Sequence, residues 1–525
     1  MRWVTKTPAA TPKGATVRDA AVMQRADVTP TLPATAMTTA PPHSMHDDLG
    51  ASDTGRSGPS AAQVELRYFQ RKEGALQMGG MCPGFGLDAQ GHPLTISFTR
   101  KSAYALRLHK DTLRPLNVHR IPHRDMKVGQ ALFNPRKLFS QVAGGTYCFV
   151  DAHGRLVLPL SRSLVSPGGV SWNRNGVLVL APNASGGFDE QFLDVTVPDG
   201  GNLIALQPVH TTKDVVPPAL PESGYWWVSD SGFVGIATPP GVAPVAPVRL
   251  TFGGKPSRIE NSFCSSARGA FVVTDKAMTR CCRVGDAVVL DWEYEYENWY
   301  TAHGGSKFSG VSGACGTTPT LAGDYVVIGD AAKPMNVVVL PQELSAGAVG
   351  KKNVPTAKVP VFASQAGSEC ENSVVAFAGK HILVGNTYGY ANPLEMFRYK
   401  DVPGLTCLSL AADGKLTLEW ERNDVNVVTS PPKASRRSVL YVYTREVLVQ
   451  PDPPHAHLSA NPRRGRERWE LLGVDILDKG RTVYRVPVFD GPVAKEHDNA
   501  WATMCLGDGV LYLGMWHGAL RIGDS

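Results

Sequence analysis

Apolar and polar residues alternate along most of this chain in short runs that break at glycine or at Asp-Gly. Residues 313–330, "GACGTTPTLAGDYVVIGD", show the form: small and hydroxyl residues, an apolar run, a turn at Ala322-Gly323-Asp324, then a second apolar run. Alternation with period two, bounded by such turns, predicts paired strands joined as hairpins. The same order recurs in "ENSFCSSARGAFVVTD" (260–275), "ENSVVAFAGKHILVGN" (371–386) and "DNAWATMCLGDGVLYLGM" (498–515). Each opens on a polar pair and a small residue.

The starts at 260, 316 and 371 lie about 55 residues apart, and a further start near Val425-Asn426 continues the spacing. Two more strand-like runs follow each hairpin, as in "GLTCLSLAADGKLTLEWE" after 371–386. Four strands in each such period match a β-propeller blade, whose two apolar faces are buried only by stacking on neighbouring blades. Three segments of the N-terminal half carry the same run–turn–run signature: 86–113, 144–160 and 224–240. With the four C-terminal starts and the last hairpin they predict an all-β chain forming a single propeller of eight four-stranded blades. Seven is the alternative, because 161–215 is irregular. The chain finishes three strand runs into its last blade, at "WHGALRI", so "QVELRYFQ" (63–70) is expected to supply the fourth and close the ring. Two separate β-sandwiches would explain the strands but not a repeat with matching polar starts.

Composition fits this picture. Only 19% of residues are charged, while 53 glycines and 40 prolines favour short strands and tight turns over helices. A net charge of +6 without a concentrated Lys/Arg stripe argues against a nucleic-acid partner. No apolar stretch approaches the ~20 residues of a membrane span. Nine cysteines, an odd number placed largely in apolar runs, predict free buried thiols in a reducing compartment. Residues 1–62 are rich in Thr, Ala and Pro and have no hydrophobic period, so they read as a disordered tail, with 63–525 as the propeller. The tail's charge is compatible with a transit peptide, and the absence of an apolar signal core favours an intracellular soluble protein.

The stretch "WELLGVDILDKGRTVYRVPV" (469–488) resembles the repeat of quinoprotein-type propellers, in which an alanine, an aspartate, a Gly-Lys turn and a tryptophan lock adjacent blades. Asp475 matches the pattern, Gly473 replaces the alanine, and Tyr484 stands at the tryptophan position. From about residue 80 onward, the order of "IENSF", "GTTPTLAGDYVVIGDAAKPMNVVVL", "ENSVVAFAGKHILVGNTYGY" and "DNAWATMCLGDGVLYLG" resembles bacterial propeller proteins of unassigned activity. The resemblance implies the fold and leaves the chemistry open.

In a propeller, the residues ahead of each innermost strand gather at one mouth of the central channel. Glu260-Asn261-Ser262, Thr317-Thr318, Glu371-Asn372-Ser373 and Asp498-Asn499 are therefore expected to converge. Carboxylates and amide carbonyls suit a hard cation, Ca²⁺ foremost, and similar residue types surround the metal of calcium-dependent lactonase and phosphotriesterase propellers. The expected ligands are Glu260, Asn261, Glu371, Asn372, Asp498 and Asn499, with Glu260 and Glu371 also as catalytic bases. Ser262, Thr317, Thr318 and Ser373 are the expected substrate contacts. The reading is a metal-assisted enzyme acting on a small molecule, of lactone or ester hydrolase type. Its alternative is a non-catalytic propeller that binds a small ligand or a protein on its top face.

Other features read as structural. Adjacent Cys281-Cys282 is similar to the vicinal pair of some quinone-dependent dehydrogenases. Here it falls in a third strand, where packing is expected, and PQQ is not an expected cofactor. The acidic aromatic run "DWEYEYENWY" (291–300) reads as an outer strand and loop. The 449–468 insertion, with four arginines in "SANPRRGRERWE", would be the surface for a protein partner.

Overall fold

In the computed structural model the hairpins assemble into eight antiparallel sheets, the blades of one propeller. The structure describes residues 4–6, 51–59, 64–70, 79–99, 103–121, 147–151, 153–161, 175–209, 224–303, 315–344, 351–389, 402–427, 431–449, 465–492, 497, 502–515 and 518–524. The innermost strands of blades 1 to 8 are Phe85–Leu87, Phe149–Val150, Leu203–Pro208, Cys264–Ser266, Thr320–Ala322, Val375–Phe377, Lys433–Ser435 and Met504–Gly507. The irregular region 161–215 thus contains an innermost strand, and the count is eight.

Alternation explains the stacking. In blade 6, Val375 and Phe377 face the core shared with blade 7, while Ala376 between them faces the core shared with blade 5. The same division holds round the ring, with a buried apolar cluster between each blade and the next among the described residues. Tryptophans on fourth strands add polar ties. Trp292 donates its indole N–H to the Gln342 carbonyl of blade 5, and Trp420 donates to the Ile476 carbonyl of blade 7, both at 2.9 Å. Turns follow local chemistry: Asp88 and Asp151 accept backbone N–H groups two and four residues on, and each binds an arginine of its own blade. In the Asp413-Gly414 turn, Gly414 has φ +81° and packs against Thr356 and Tyr325, where a Cβ would collide.

The ring closes as its strand count requires. Val64–Gln70 lies antiparallel to Gly518–Asp524, in register from Val64 opposite Asp524 to Gln70 opposite Gly518. Phe69 is fully buried there, in the core between blades 8 and 1.

Part of the segment read from sequence as a tail lies inside the ring. Thr54–Gly55 pairs in parallel with Lys433–Ser435, and the Ser52 carbonyl accepts the Ala376 N–H at 2.9 Å. Ala51 packs into the core between blades 4 and 5, whereas the Ser57 carbonyl accepts the Gly509 N–H of blade 8. Residues 51–59 therefore run along blades 5 to 8 in order, against the innermost strands of blades 6 and 7. The departure from expectation has a physical cause: a small-residue strand beside innermost strands needs backbone pairing, not an apolar face. Asp53 fixes it, paired with Lys433 and hydrogen-bonded by Ser373.

Candidate functional site

Glu260, Gly316 and Glu371 occupy the same place in three successive blades, each four residues ahead of an innermost strand. Blade 5 is the odd one, with glycine between two glutamates. The Glu371 carboxylate fills the space this leaves: a Cβ on Gly316 would come within 2.6 Å of its Oε2. From the other side, Asn261 donates its amide N–H to the Cys315 carbonyl at 3.3 Å. The lead-ins of blades 4 and 6 thus converge on the bare Cα of blade 5.

Tyr147 joins them from blade 2, its hydroxyl donating to the Asn261 amide oxygen at 3.5 Å. Burial first, and then the Glu371 charge, push the Tyr147 phenol up to about 12, partly offset by a hydrogen bond with the Ser262 backbone. The phenol is therefore neutral and a donor at ordinary pH. Sequence reasoning missed Tyr147, although "GGTYCFV" sets it two residues ahead of Phe149–Val150, in a lead-in like the others.

Two atoms of the Glu-Asn-Ser lead-ins are buried without a protein partner: the Ser262 hydroxyl and the Asn372 amide nitrogen. Their residues are 1% and 4% exposed, and a buried polar atom is ordinarily paired. The Glu371 carboxylate, the Asn261 amide and the Tyr147 phenol are thus linked around the Cys315–Gly316 peptide.

The other expected contacts divide. Thr317 is fully buried and its hydroxyl meets the Gly329 backbone N–H at 3.1 Å and the Cys315 thiol at 3.1 Å, so it ties blade 5 internally. Thr318 is also buried. Ser373 turns to Asp53 in segment 51–59. Asp498 and Asn499 lie outside the described residues, as do 450–464 of the arginine-rich insertion. Their neighbour His497 is buried and stacks on Phe489 with ring centroids 4.0 Å apart.

The remaining sequence features fall in blade strands and one short helix. All nine cysteines are free thiols, Cys281 is buried in the third strand of blade 4, and Cys282 is half-buried beside it. The acidic aromatic run forms the fourth strand, Ala287–Glu295, and a short helix, Trp299–Ala302. On that helix Trp299 stacks on His303, and Lys333 lies 3.9 Å over its ring.

No family model matches the chain, and no curated protein does. Solved structures do. A europium-containing methanol dehydrogenase shares 11% identity over 90% of this chain and 89% of its own, with TM-score 0.44. Sqt1 from Chaetomium thermophilum shares 11% over 85% and 97%, with TM-score 0.41. The periplasmic gluconolactonase PpgL of Pseudomonas aeruginosa shares 14% over 59% and 81%, with TM-score 0.33. At these identities the likeness assigns no chemistry.

Proposed function

We propose that this propeller is a cation-assisted enzyme for a small molecule, with its site at the channel mouth around Gly316. The observation that carries the reading is the Glu371 carboxylate seated on the bare Cα of Gly316, with Asn261 reaching the same residue pair from the opposite blade. Residues 51–59, paired with the innermost strands of blades 6 and 7, would supply the site with a floor and keep a substrate at the mouth.

Glu260, Asn261 and Glu371 would hold the ion, Ca²⁺ on donor type, and the buried Ser262 and Asn372 atoms are suited to a substrate or ordered water. When bound, such a cation polarises a carbonyl or phosphoryl oxygen. Glu371 would take a proton from an attacking water, whose oxygen bonds to the substrate's electrophilic centre. The neutral Tyr147 phenol is a proton donor for the leaving oxygen as its bond breaks. Lactones, esters and phosphotriesters are the classes that fit.

The test is a hydrolysis screen of these three classes with calcium and with a chelator. Turnover that requires calcium and is lost in Glu371→Gln supports the reading. Binding without turnover favours the non-catalytic alternative.

A further inference from the structure

Blade 6 carries a second cluster, away from the channel, built across three neighbouring strands. His381 opens the second strand, Cys407 lies on the third, and Glu419 lies on the fourth. The pairing of third and fourth strands slips by one residue: Cys407 faces Trp420, Leu408 faces Leu418, and Glu419 is the extra residue of a bulge. Such a bulge re-aims a side chain, here bringing Glu419 to the face that holds Cys407. His381 pairs with Ser409, two residues from Cys407, and so shares that face.

The ligand atoms crowd one point. His381 Nδ1 is 3.0 Å and Cys407 Sγ 3.5 Å from the same oxygen, Glu419 Oε2, and all three atoms lie within 4.8 Å of one another. Zinc bond lengths of about 2.0–2.1 Å to N and O and 2.3 Å to S give tetrahedral edges of about 3.3 Å for N–O and 3.5 Å for S–O. The observed separations are already near these values.

Blade 4 supplies an internal comparison. Its third and fourth strands slip at the equivalent place, with Arg280 facing Trp292 and Asp291 as the extra residue. There Arg280, at the position of Cys407, neutralises Asp291 at 2.9 Å. Blade 6 keeps the bulge carboxylate and the tryptophan but replaces the arginine with a thiol and adds a histidine. Where blade 4 has a fixed cation beside its bulge carboxylate, blade 6 has a thiol and an imidazole.

We propose that His381 Nδ1, Cys407 Sγ and a Glu419 oxygen bind one Zn²⁺, with water as fourth ligand on the side where Glu419 is 31% exposed. The thiol proton leaves to solvent as the Zn–S bond forms. The ion clamps three strands of blade 6, and its mixed N, S and O donors suit zinc over calcium. The site is independent of the channel mouth.

Titration of the full chain with Zn²⁺, and in parallel with Co²⁺ as a spectroscopic probe, tests this. One equivalent of zinc should bind and raise the melting temperature, and Co²⁺ should give a thiolate charge-transfer band. Cys407→Ser should abolish the band, and His381→Ala should weaken zinc binding by about tenfold or more. Glu371→Gln should leave both unchanged. The metal-free variants should melt within a few degrees of the metal-free parent, separating lost ligation from lost folding. Absence of the charge-transfer band, or a band that survives Cys407→Ser, overturns the proposal.

Discussion

Asp53 and Lys433 form an ion pair in which both side chains are shut off from water, with Oδ1 2.5 Å from Nζ. The residues are 380 apart in sequence, and the pair joins segment 51–59 to the innermost strand of blade 7. Removing one partner leaves the other's buried charge without its counter-ion, at a cost of about 3–5 kcal/mol. Lys433→Met should therefore lower the melting temperature by several degrees, and Asp53→Leu added to it should recover much of the loss. A single variant that melts like the parent contradicts the docked segment.

Alkaline pH should weaken the fold through Tyr147. Its phenol is pushed up to about 12 by burial and Glu371, against the ordinary 10.0. The unfolded chain thus loses this proton first, and the contribution, present below pH 10, disappears as pH rises to 12. Each unit is worth about 1.4 kcal/mol. Stability measured by denaturant unfolding across this window should fall less steeply for Tyr147→Phe, by about one proton. An unchanged slope would place the phenol in water.

Ring closure rests on Phe69, fully buried where the N-terminal strand meets the last blade. Phe69→Ala should cost about 3–5 kcal/mol, as large core truncations do. Amide exchange should then rise first in Gly518–Asp524, the strand it pairs with. Equal exchange across all blades would argue against closure at this seam.

Thiol labelling gives a simple check on the core. Eight of the nine cysteines are buried and Cys282 is half-buried. Burial also raises the Cys282 thiol, so even its reaction should be slow. A native sample should release at most one equivalent, at Cys282, and an unfolded sample all nine. Several fast thiols, or fewer than nine on unfolding without reductant, would contradict this.

The ring was legible in the sequence because each blade repeats both its alternation and its polar lead-in. Even the closing strand followed from counting runs in the last blade. Segment 51–59 was not: Ala51, Ser52, Thr54 and Gly55 carry no period, and their partners are backbone groups of strands far along the chain. The matched positions of Glu260, Gly316 and Glu371 were visible, but not that Glu371 leans on Gly316. Thr317 and Ser373 read as substrate contacts because their residue type suits that role. In the fold their hydroxyls face Gly329 and Asp53. The Glu419 bulge escaped notice because one extra residue looks like ordinary alternation from the strand alone.

The central claim is that the seat between Gly316 and Glu371 forms a cation site. Gly316→Ala adds one methyl group that would meet the Glu371 carboxylate at 2.6 Å and the Cys370 carbonyl at 2.8 Å, so it should displace Glu371 together with a local backbone shift. The direct measurement is calcium titration calorimetry on the parent, Gly316→Ala and Glu371→Gln, with circular dichroism to verify folding. One calcium per parent chain, weakened at least about tenfold in both variants (about 1.4 kcal/mol), is the expected result. No calcium binding by the parent, or equal binding by all three folded proteins, would contradict the account.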